Sequence, residues 1–143
     1  MEELITLTNN HPILSAAWGG IVLLIIGMSI KIKLSSVVQV NPQELTFLVN
    51  KNDGVVIDIR SEKDFKAKHI IDAKNFSTEK ANNNDFATLE KFKDKPIIVV
   101  CAAGITAAKV ADQLVKANFG QVKLLKGGMN SWTGAGLPTT QGK

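Results

Sequence analysis

The chain has 143 residues, of which 45% are apolar and 21% charged, and it carries a formal net charge of +4. This composition is typical of one globular domain and leaves no length for two full domains. Cys101 is the only cysteine, which excludes an internal disulfide and a cysteine-based zinc site. Arg60 is the only arginine among 17 basic residues, so a planar two-point clamp on an anion has one candidate position.

Residues 13–30 contain no charged side chain. A helix of this length approaches the hydrocarbon core of a bilayer, about 30 Å thick, so we predict a transmembrane helix over 13–30 after a short external tail, 1–12. Lys31 and Lys33 follow the segment and no basic residue precedes it. The positive-inside rule therefore places the N-terminus outside and the rest of the chain in the cytoplasm. The alternative is a buried core helix.

Short β-branched runs alternate with helical patterns in residues 38–143, after a predicted linker over 31–37. The predicted strands are 38–40, 55–59, 97–101 and 122–126. The predicted helices are 42–50, with Asn41 as its N-cap, 61–65, 106–118, which Gly120 terminates, and a short last helix that contains Trp132. This alternation predicts an α/β fold, an open parallel sheet with helices on both faces.

Polar residues follow two of the predicted strands, where reactive groups of such sheets lie. Asp58 and Arg60 close one strand, and Cys101 opens a loop that leads into a helix. Free backbone amides and the helix dipole favour a thiolate at that position, and Gly104 permits a tight turn of the loop. The pattern predicts a nucleophilic cysteine. The alternative is that Cys101 is a small buried hydrophobic residue.

Separated segments resemble the rhodanese family of single-domain sulfurtransferases over about residues 38–138. They are VVIDIRSEKDF (55–65), HIIDAKNF (69–76), CAAGIT (101–106) and ANFGQVKLLKGGMNSWTGAGLP (117–138). The stretch HPILSAAW (11–18) resembles the membrane-anchored bacterial members of the YibN type. The resemblance implies a rhodanese-like domain on a bacterial inner membrane. It implies sulfane-sulfur transfer from thiosulfate or another donor to a thiol or cyanide, through a cysteine persulfide and without a metal or cofactor.

The resemblance implies that Cys101 is the nucleophile and that backbone amides after it bind the sulfur anion. Thr106 could also donate from its hydroxyl or cap the helix. The residues implied to bind the anion in this loop are Ala102, Ala103, Gly104, Ile105 and Thr106. Because Ala102 and Ala103 carry no charge, we expect weaker recruitment of a small dianion than in members with a basic loop. A phosphatase of related architecture needs Arg at the sixth position beyond the cysteine, where this chain has Ala107.

Asp58 matches a supporting position of the family, and Arg60 matches a position that could bind the donor's sulfonate. Arg60 could equally pair with Glu62 or Asp64. Lys126, at the end of the last predicted strand, is a weaker electrostatic candidate. Two family glycines are replaced by Lys68 and Asp72, and a positive φ would strain Lys68. We interpret His69 as a structural histidine near a turn.

Two classes of function follow. The first is a membrane-anchored sulfurtransferase with a small sulfur donor, a thiol acceptor and no nucleic-acid partner. The alternative is a catalytically weak rhodanese-like interaction module that acts as an accessory to inner-membrane proteins. A third possibility is redox sensing by Cys101, which would need a partner thiol because the chain has no second cysteine.

Overall fold

The computed structural model describes residues 12–33 and 37–142. The chain divides into two units, Met1–Ser36 and Val37–Lys143. Residues 1–11 of the predicted external tail and residues 34–36 of the predicted linker lie outside the described residues.

In the first unit, helix α1 covers Pro12–Lys33. The helix contains the whole predicted span and extends into the predicted linker, whose residues 31–33 are helical. Large apolar side chains of α1 are exposed: Ile13, Leu14, Trp18, Ile21, Leu23, Leu24, Ile25 and Ile26. Across the residues that the structure describes with their side chains, 12–27 and 37–142, no helix is both long enough and apolar enough to cross a membrane.

The second unit is built from short strands and helices. They are β1 (Val38–Val40), α2 (Pro42–Asn52), β2 (Val55–Asp58), α3 (Glu62–Ala67), β3 (His69–Ile70), β4 (Lys74–Asn75), α4 (Thr78–Asn82), a 3-10 helix (Ala87–Phe92), β5 (Ile97–Val100), α5 (Ile105–Lys116), β6 (Val122–Leu125), α6 (Gly128–Gly134) and β7 (Thr139–Thr140).

The main sheet has five strands in the order β1-β6-β5-β2-β4, and all its pairings are parallel. The carboxyl ends of these strands therefore meet at one edge. Strands β3 and β7 form a separate antiparallel pair. The predicted parallel sheet is confirmed, but β3, β4 and β7 were not predicted, because strands of two residues are too short to show an alternating pattern.

Two hydrophobic cores lie on opposite faces of the sheet, because successive strand residues point to opposite sides. In β5, Ile97 and Val99 pack in one core with α5, while Ile98 and Val100 pack in the other with α2, α3 and α6. All four side chains are completely buried. Burial of each stabilises the fold by about 1.5–3 kcal/mol. The predicted placement of helices on both faces is confirmed.

Local side-chain bonds determine where the helices begin and end. The Asn41 side chain accepts from the amide of Glu44 at 2.8 Å, and the Glu44 carboxylate accepts from the amide of Asn41 at 2.8 Å, so the predicted N-cap is part of a capping box. Helix α5 ends at Lys116, two residues earlier than predicted. The left-handed residue that follows the helix is Asn118, with φ 65°. The prediction that Gly120 terminates this helix is therefore wrong.

Candidate active site

The carboxyl ends of β2 and β5 bring the two predicted polar clusters together. Asp58 pairs with Val100, and the amide of Ile59 donates to the carbonyl of Val100 at 2.9 Å, so the chains leave the sheet side by side. Beyond this point is an open depression of about 340 Å³. It is lined by Ile59, Arg60, Ser61, Asp64, Cys101, Ala102 and Thr106.

Cys101 is the first residue after β5 and lies at the floor of the depression. It is 5% exposed and packs with the core on the α5 face. Its Sγ accepts a hydrogen bond from the amide of Gly104 at 3.0 Å. Gly104 has φ 89°, and a Cβ there would lie 3.1 Å from the amide nitrogen of Gly127, so glycine suits this turn for two reasons. The loop thus curls around the sulfur.

The start of α6 donates backbone hydrogen bonds to the cysteine loop. The amide of Met129 donates to the carbonyl of Cys101 at 2.8 Å, and the amide of Asn130 donates to the carbonyl of Ala102 at 3.1 Å. A Cβ on Gly128 would lie 2.2 Å from the carbonyl oxygen of Cys101. Gly128 was not predicted as a site residue, and its only signal in the sequence is the pair of adjacent glycines after β6.

The remaining loop residues divide into two groups. Ala102 and Thr106 line the depression, whereas Ala103, Gly104 and Ile105, the first residue of α5, do not line it. Ile105 is 82% exposed. Helix α5 begins after Gly104 as its N-cap, with no side-chain cap, so the capping role considered for Thr106 is wrong. The amides in the first turn of α5 therefore have no side-chain partner from a cap.

Arg60 forms a two-point ion pair with Asp58. Its Nε lies 3.0 Å from Oδ1 of Asp58, and its Nη2 lies 2.6 Å from Oδ2. Nη2 also donates to the carbonyl of Lys68 at 2.6 Å, and the amide of Arg60 donates to Oδ1 of Asp58 at 3.0 Å. Asp58 is 1% exposed and the Arg60 side chain 14%. This geometry holds the turn after β2 as a compact unit.

The two partners considered for Arg60 are wrong. Glu62 pairs instead with Lys66, which lies 2.6 Å away on the same helix. The hydrogen bond and charge of Lys66 hold the pKa of Glu62 below its usual value. Asp64 accepts from the hydroxyl of Ser61 at 2.7 Å, and its own amide donates to that hydroxyl at 3.2 Å.

Asn75 was not predicted as a site residue, yet it braces the turn that carries Arg60. Its Nδ2 donates to the carbonyl of Asp58 at 3.1 Å and to that of Arg60 at 3.0 Å. Asn75 lies on β4, which pairs with β2, so the sheet positions the amide opposite the turn. No signal in the sequence distinguished this asparagine from the other asparagines of the chain.

His69 lies apart from the depression and is buried beside Phe65. Its Nδ1 donates to the carbonyl of Phe65 at 2.7 Å, and the two rings stack with centroids 3.8 Å apart. These contacts agree with a structural histidine. Lys68 has φ −168°, which any residue adopts, while Asp72 has φ 62°. The strain considered for Lys68 therefore does not arise.

Lys126 follows β6 and is exposed, and it does not line the depression. Among the residues that the structure describes, no group of three His, Cys, Asp or Glu side chains is placed to hold a metal ion.

Comparison with known proteins places the chain in a family. The family described as a rhodanese-like domain matches residues 41–135. The uncharacterized protein YibN of Escherichia coli (strain K12) is 38% identical over 143 residues, which is 100% of both chains. Thiosulfate sulfurtransferase GlpE of Coxiella burnetii (strain RSA 331) is 35% identical over 95 residues, covering 66% of this chain and 85% of the relative.

Solved structures share the fold. A rhodanese-related protein from Thermoplasma volcanium superposes with a TM-score of 0.63 at 23% identity, covering 72% of this chain and 97% of that one. Thiosulfate sulfurtransferase from Pseudomonas aeruginosa superposes with a TM-score of 0.63 at 24% identity, covering 74% of this chain and 20% of that one. The family match spans both strands that carry the depression, the cysteine loop and its support. The chain belongs to the rhodanese-like domain family.

Proposed function

We propose that the protein is a sulfurtransferase that carries sulfane sulfur as a persulfide on Cys101. The thiolate of Cys101 attacks the outer sulfur of a donor such as thiosulfate, and the bond between the two donor sulfurs breaks. Its electron pair leaves with sulfite, and the persulfide anion remains on Cys101. An acceptor thiolate or cyanide then takes the outer sulfur and regenerates the Cys101 thiolate.

One observation carries this proposal: the only thiol of the chain lies at the floor of an open depression, with a backbone amide aimed at its sulfur. The amide of Gly104 is 3.0 Å from Sγ, and a dipole fixed at that distance stabilises negative charge on sulfur. Relatives of the same family described as thiosulfate sulfurtransferases support the choice of reaction. Buried contacts of Arg60 with Asp58 support a structural role for that arginine.

The test is persulfide formation on the full chain. Reduced protein is freed of reductant, incubated with thiosulfate or with benzenethiosulfonate, and measured by intact-mass spectrometry. We expect a gain of one sulfur atom that dithiothreitol removes and that Cys101→Ser abolishes. Because the chain has one cysteine, no other thiol can account for the adduct. The proposal is wrong if neither donor adds sulfur although iodoacetamide alkylates Cys101.

We further propose that residues 13–30 attach the protein to a bacterial inner membrane, with the N-terminus outside and the rhodanese-like domain in the cytoplasm. The uncharged segment, the lysines after it and the exposed apolar side chains of α1 support this proposal. The test is extraction of membranes with alkaline carbonate. The full chain should stay in the pellet and a chain that lacks residues 1–33 should not, whereas release of both would contradict the proposal.

The alternative function is a rhodanese-like interaction module that assists inner-membrane proteins. The exposed apolar side chain of Ile105, the first residue of α5 and next to the cysteine loop, favours it, because a large exposed apolar side chain suits protein contact. The two functions separate in a cell that lacks the chromosomal copy. A sulfurtransferase requires Cys101, so Cys101→Ala should fail to complement. An interaction module should still complement with Cys101→Ala and should fail with Ile105→Asp.

A further inference from the structure

We infer that the depression selects sulfur donors by charge, with Asp64 as the residue that disfavours dianions. The preferred donor is an organic thiosulfonate with one negative charge and an apolar substituent, rather than thiosulfate with two. This inference rests on the proposed sulfurtransferase function and specifies its donor.

The positive charge that lines the depression is already paired with a carboxylate of the protein. Within residues 12–33 and 37–142, Arg60 is the only cation that lines it. Its guanidinium bonds both carboxylate oxygens of Asp58 and the carbonyl of Lys68. The charge of Arg60 is thus offset by a buried carboxylate, and two of its nitrogens already donate to protein oxygens. A donor that enters the depression meets little net positive charge from this pair.

Asp64 is exposed, and among the residues that the structure describes its carboxylate forms no ion pair with a cation. Its carboxylate lines the same depression as Cys101, and its partner is the hydroxyl of Ser61, which carries no charge. The repulsion between Asp64 and a donor is proportional to the donor's charge, so it is twice as large for thiosulfate as for a monoanion at the same position. The difference in loading rate between the two donors therefore measures the effect of the Asp64 charge.

Two apolar residues also line the depression, Ile59 and Ala102. Ile59 is only 3% exposed, so the exposed Ala102 offers most of their accessible apolar surface. Removal of an apolar substituent from water against this surface is favourable, which a sulfonate oxygen in the same place does not provide. An aryl or alkyl group on the sulfonyl sulfur therefore fits beside Ala102 better than the third oxygen of thiosulfate.

The loading step is balanced with either donor. The Cys101 thiolate attacks the outer sulfur of the thiosulfonate, the bond between that sulfur and the sulfonyl sulfur breaks, and its electron pair leaves on a sulfinate. The product on the protein is the same persulfide in both cases. The leaving groups differ in intrinsic reactivity, so the informative value is how a substitution changes the ratio of the two loading rates.

The experiment measures second-order persulfide loading with thiosulfate and with benzenethiosulfonate on the full chain and on Asp64→Asn. Asparagine keeps an oxygen that accepts from Ser61 but removes the charge. We expect the ratio of the thiosulfate rate to the benzenethiosulfonate rate to rise by about three- to tenfold, from the loss of one unit of local charge.

The matched control is Glu62→Gln on the same helix. It removes an equal charge from the protein, but Glu62 pairs with Lys66 and does not line the depression. The long-range effect of the net charge of +4 changes equally in both variants, so we expect the control to leave the ratio within about twofold.

The outcomes are distinct. A ratio that does not change in Asp64→Asn, or that changes as much in Glu62→Gln, overturns the inference while the sulfurtransferase function stands. An equal loss of both rates in Asp64→Asn also overturns it and assigns Asp64 to the cap of α3. If no donor loads sulfur on any variant, the proposed function itself fails, and the donor inference fails with it.

Discussion

The contact of Gly128 with the cysteine loop leads to a quantitative prediction for Gly128→Ala. A Cβ at Gly128 would lie 2.2 Å from the carbonyl oxygen of Cys101 and 2.8 Å from the carbonyl carbon and oxygen of Ala102. These are backbone atoms, so no flexible side chain can move aside. The loop and the start of α6 must separate, and the geometry around the sulfur changes with them.

The expected loss of stability has two parts. Gly128 has φ 57°, and an alanine in this left-handed region costs about 1–2 kcal/mol. Separation of the loop from α6 weakens the hydrogen bonds from Met129 and Asn130 to the two carbonyls, at about 1 kcal/mol each. The sum is about 3–4 kcal/mol, a large fraction of the free energy of unfolding of a small domain.

Substitutions at two other glycines separate the cost of backbone strain from the cost of the lost contact between the loop and α6. Gly136 also has a positive φ, 68°, but a Cβ there meets no atom within 4 Å, so Gly136→Ala should cost only the backbone strain of about 1–2 kcal/mol. Gly134, at the end of α6, has neither problem, and Gly134→Ala should be neutral or stabilising by up to about 1 kcal/mol. Urea denaturation gives the free energies of unfolding, and intact mass after thiosulfonate treatment gives the persulfide loading.

We expect Gly128→Ala to be the least stable of the three variants and to load persulfide at least about tenfold more slowly than the unmodified chain. Equal stabilities of Gly128→Ala and Gly136→Ala, with unchanged loading in both, would refute this prediction. That result would mean that the loop does not depend on close contact with α6.

Three further substitutions, one of them a control, test the remaining polar contacts. Asp58→Asn leaves the guanidinium of Arg60 half-buried without its anion, so we expect urea denaturation to show a loss of about 2–4 kcal/mol. The control, Asp112→Asn, removes the acid from an exposed ion pair with Lys116 and should change the free energy of unfolding by less than about 1 kcal/mol. Equal losses of stability in Asp58→Asn and Asp112→Asn would contradict the prediction for the buried pair. His69→Ala removes a hydrogen bond and a stacked ring. It should lower the free energy of unfolding by about 2–3 kcal/mol, while the rate of persulfide loading stays within about twofold. A large fall in loading at full stability would instead give His69 a part in the reaction.

The parts of the fold that were predictable are those with local patterns. The buried run Ile97–Val100 reads as a strand from its β-branched residues alone, and Asn41 followed by Pro42 reads as a helix start. The ends of these elements differ from prediction by one or two residues, because the last bonds depend on neighbouring strands. The hydrogen bond from the amide of Ile59, just beyond β2, to the carbonyl of Val100 illustrates this dependence.

The contacts within the site were harder to predict because they join distant segments. The position of Cys101 followed from the strand before it, but its support by Gly128 joins residues that are far apart in sequence. The partner of Arg60 was predicted wrongly because Glu62 and Asp64 looked available on the next helix. The turn after β2 instead folds the guanidinium back onto Asp58, two residues earlier.

Under the proposed function, the depth of the Cys101 sulfur restricts which thiols can accept the outer sulfur of its persulfide. With 5% of the residue exposed, the outer sulfur of a persulfide has to be reached from above, through the mouth of the depression. A small thiol fits that approach, as does a cysteine on a protruding, slender tip of a partner. A cysteine set in a flat or recessed surface would collide with the rim of the depression before the sulfurs met. The shape of the surface around an acceptor thiol therefore limits transfer, in addition to the reactivity of that thiol.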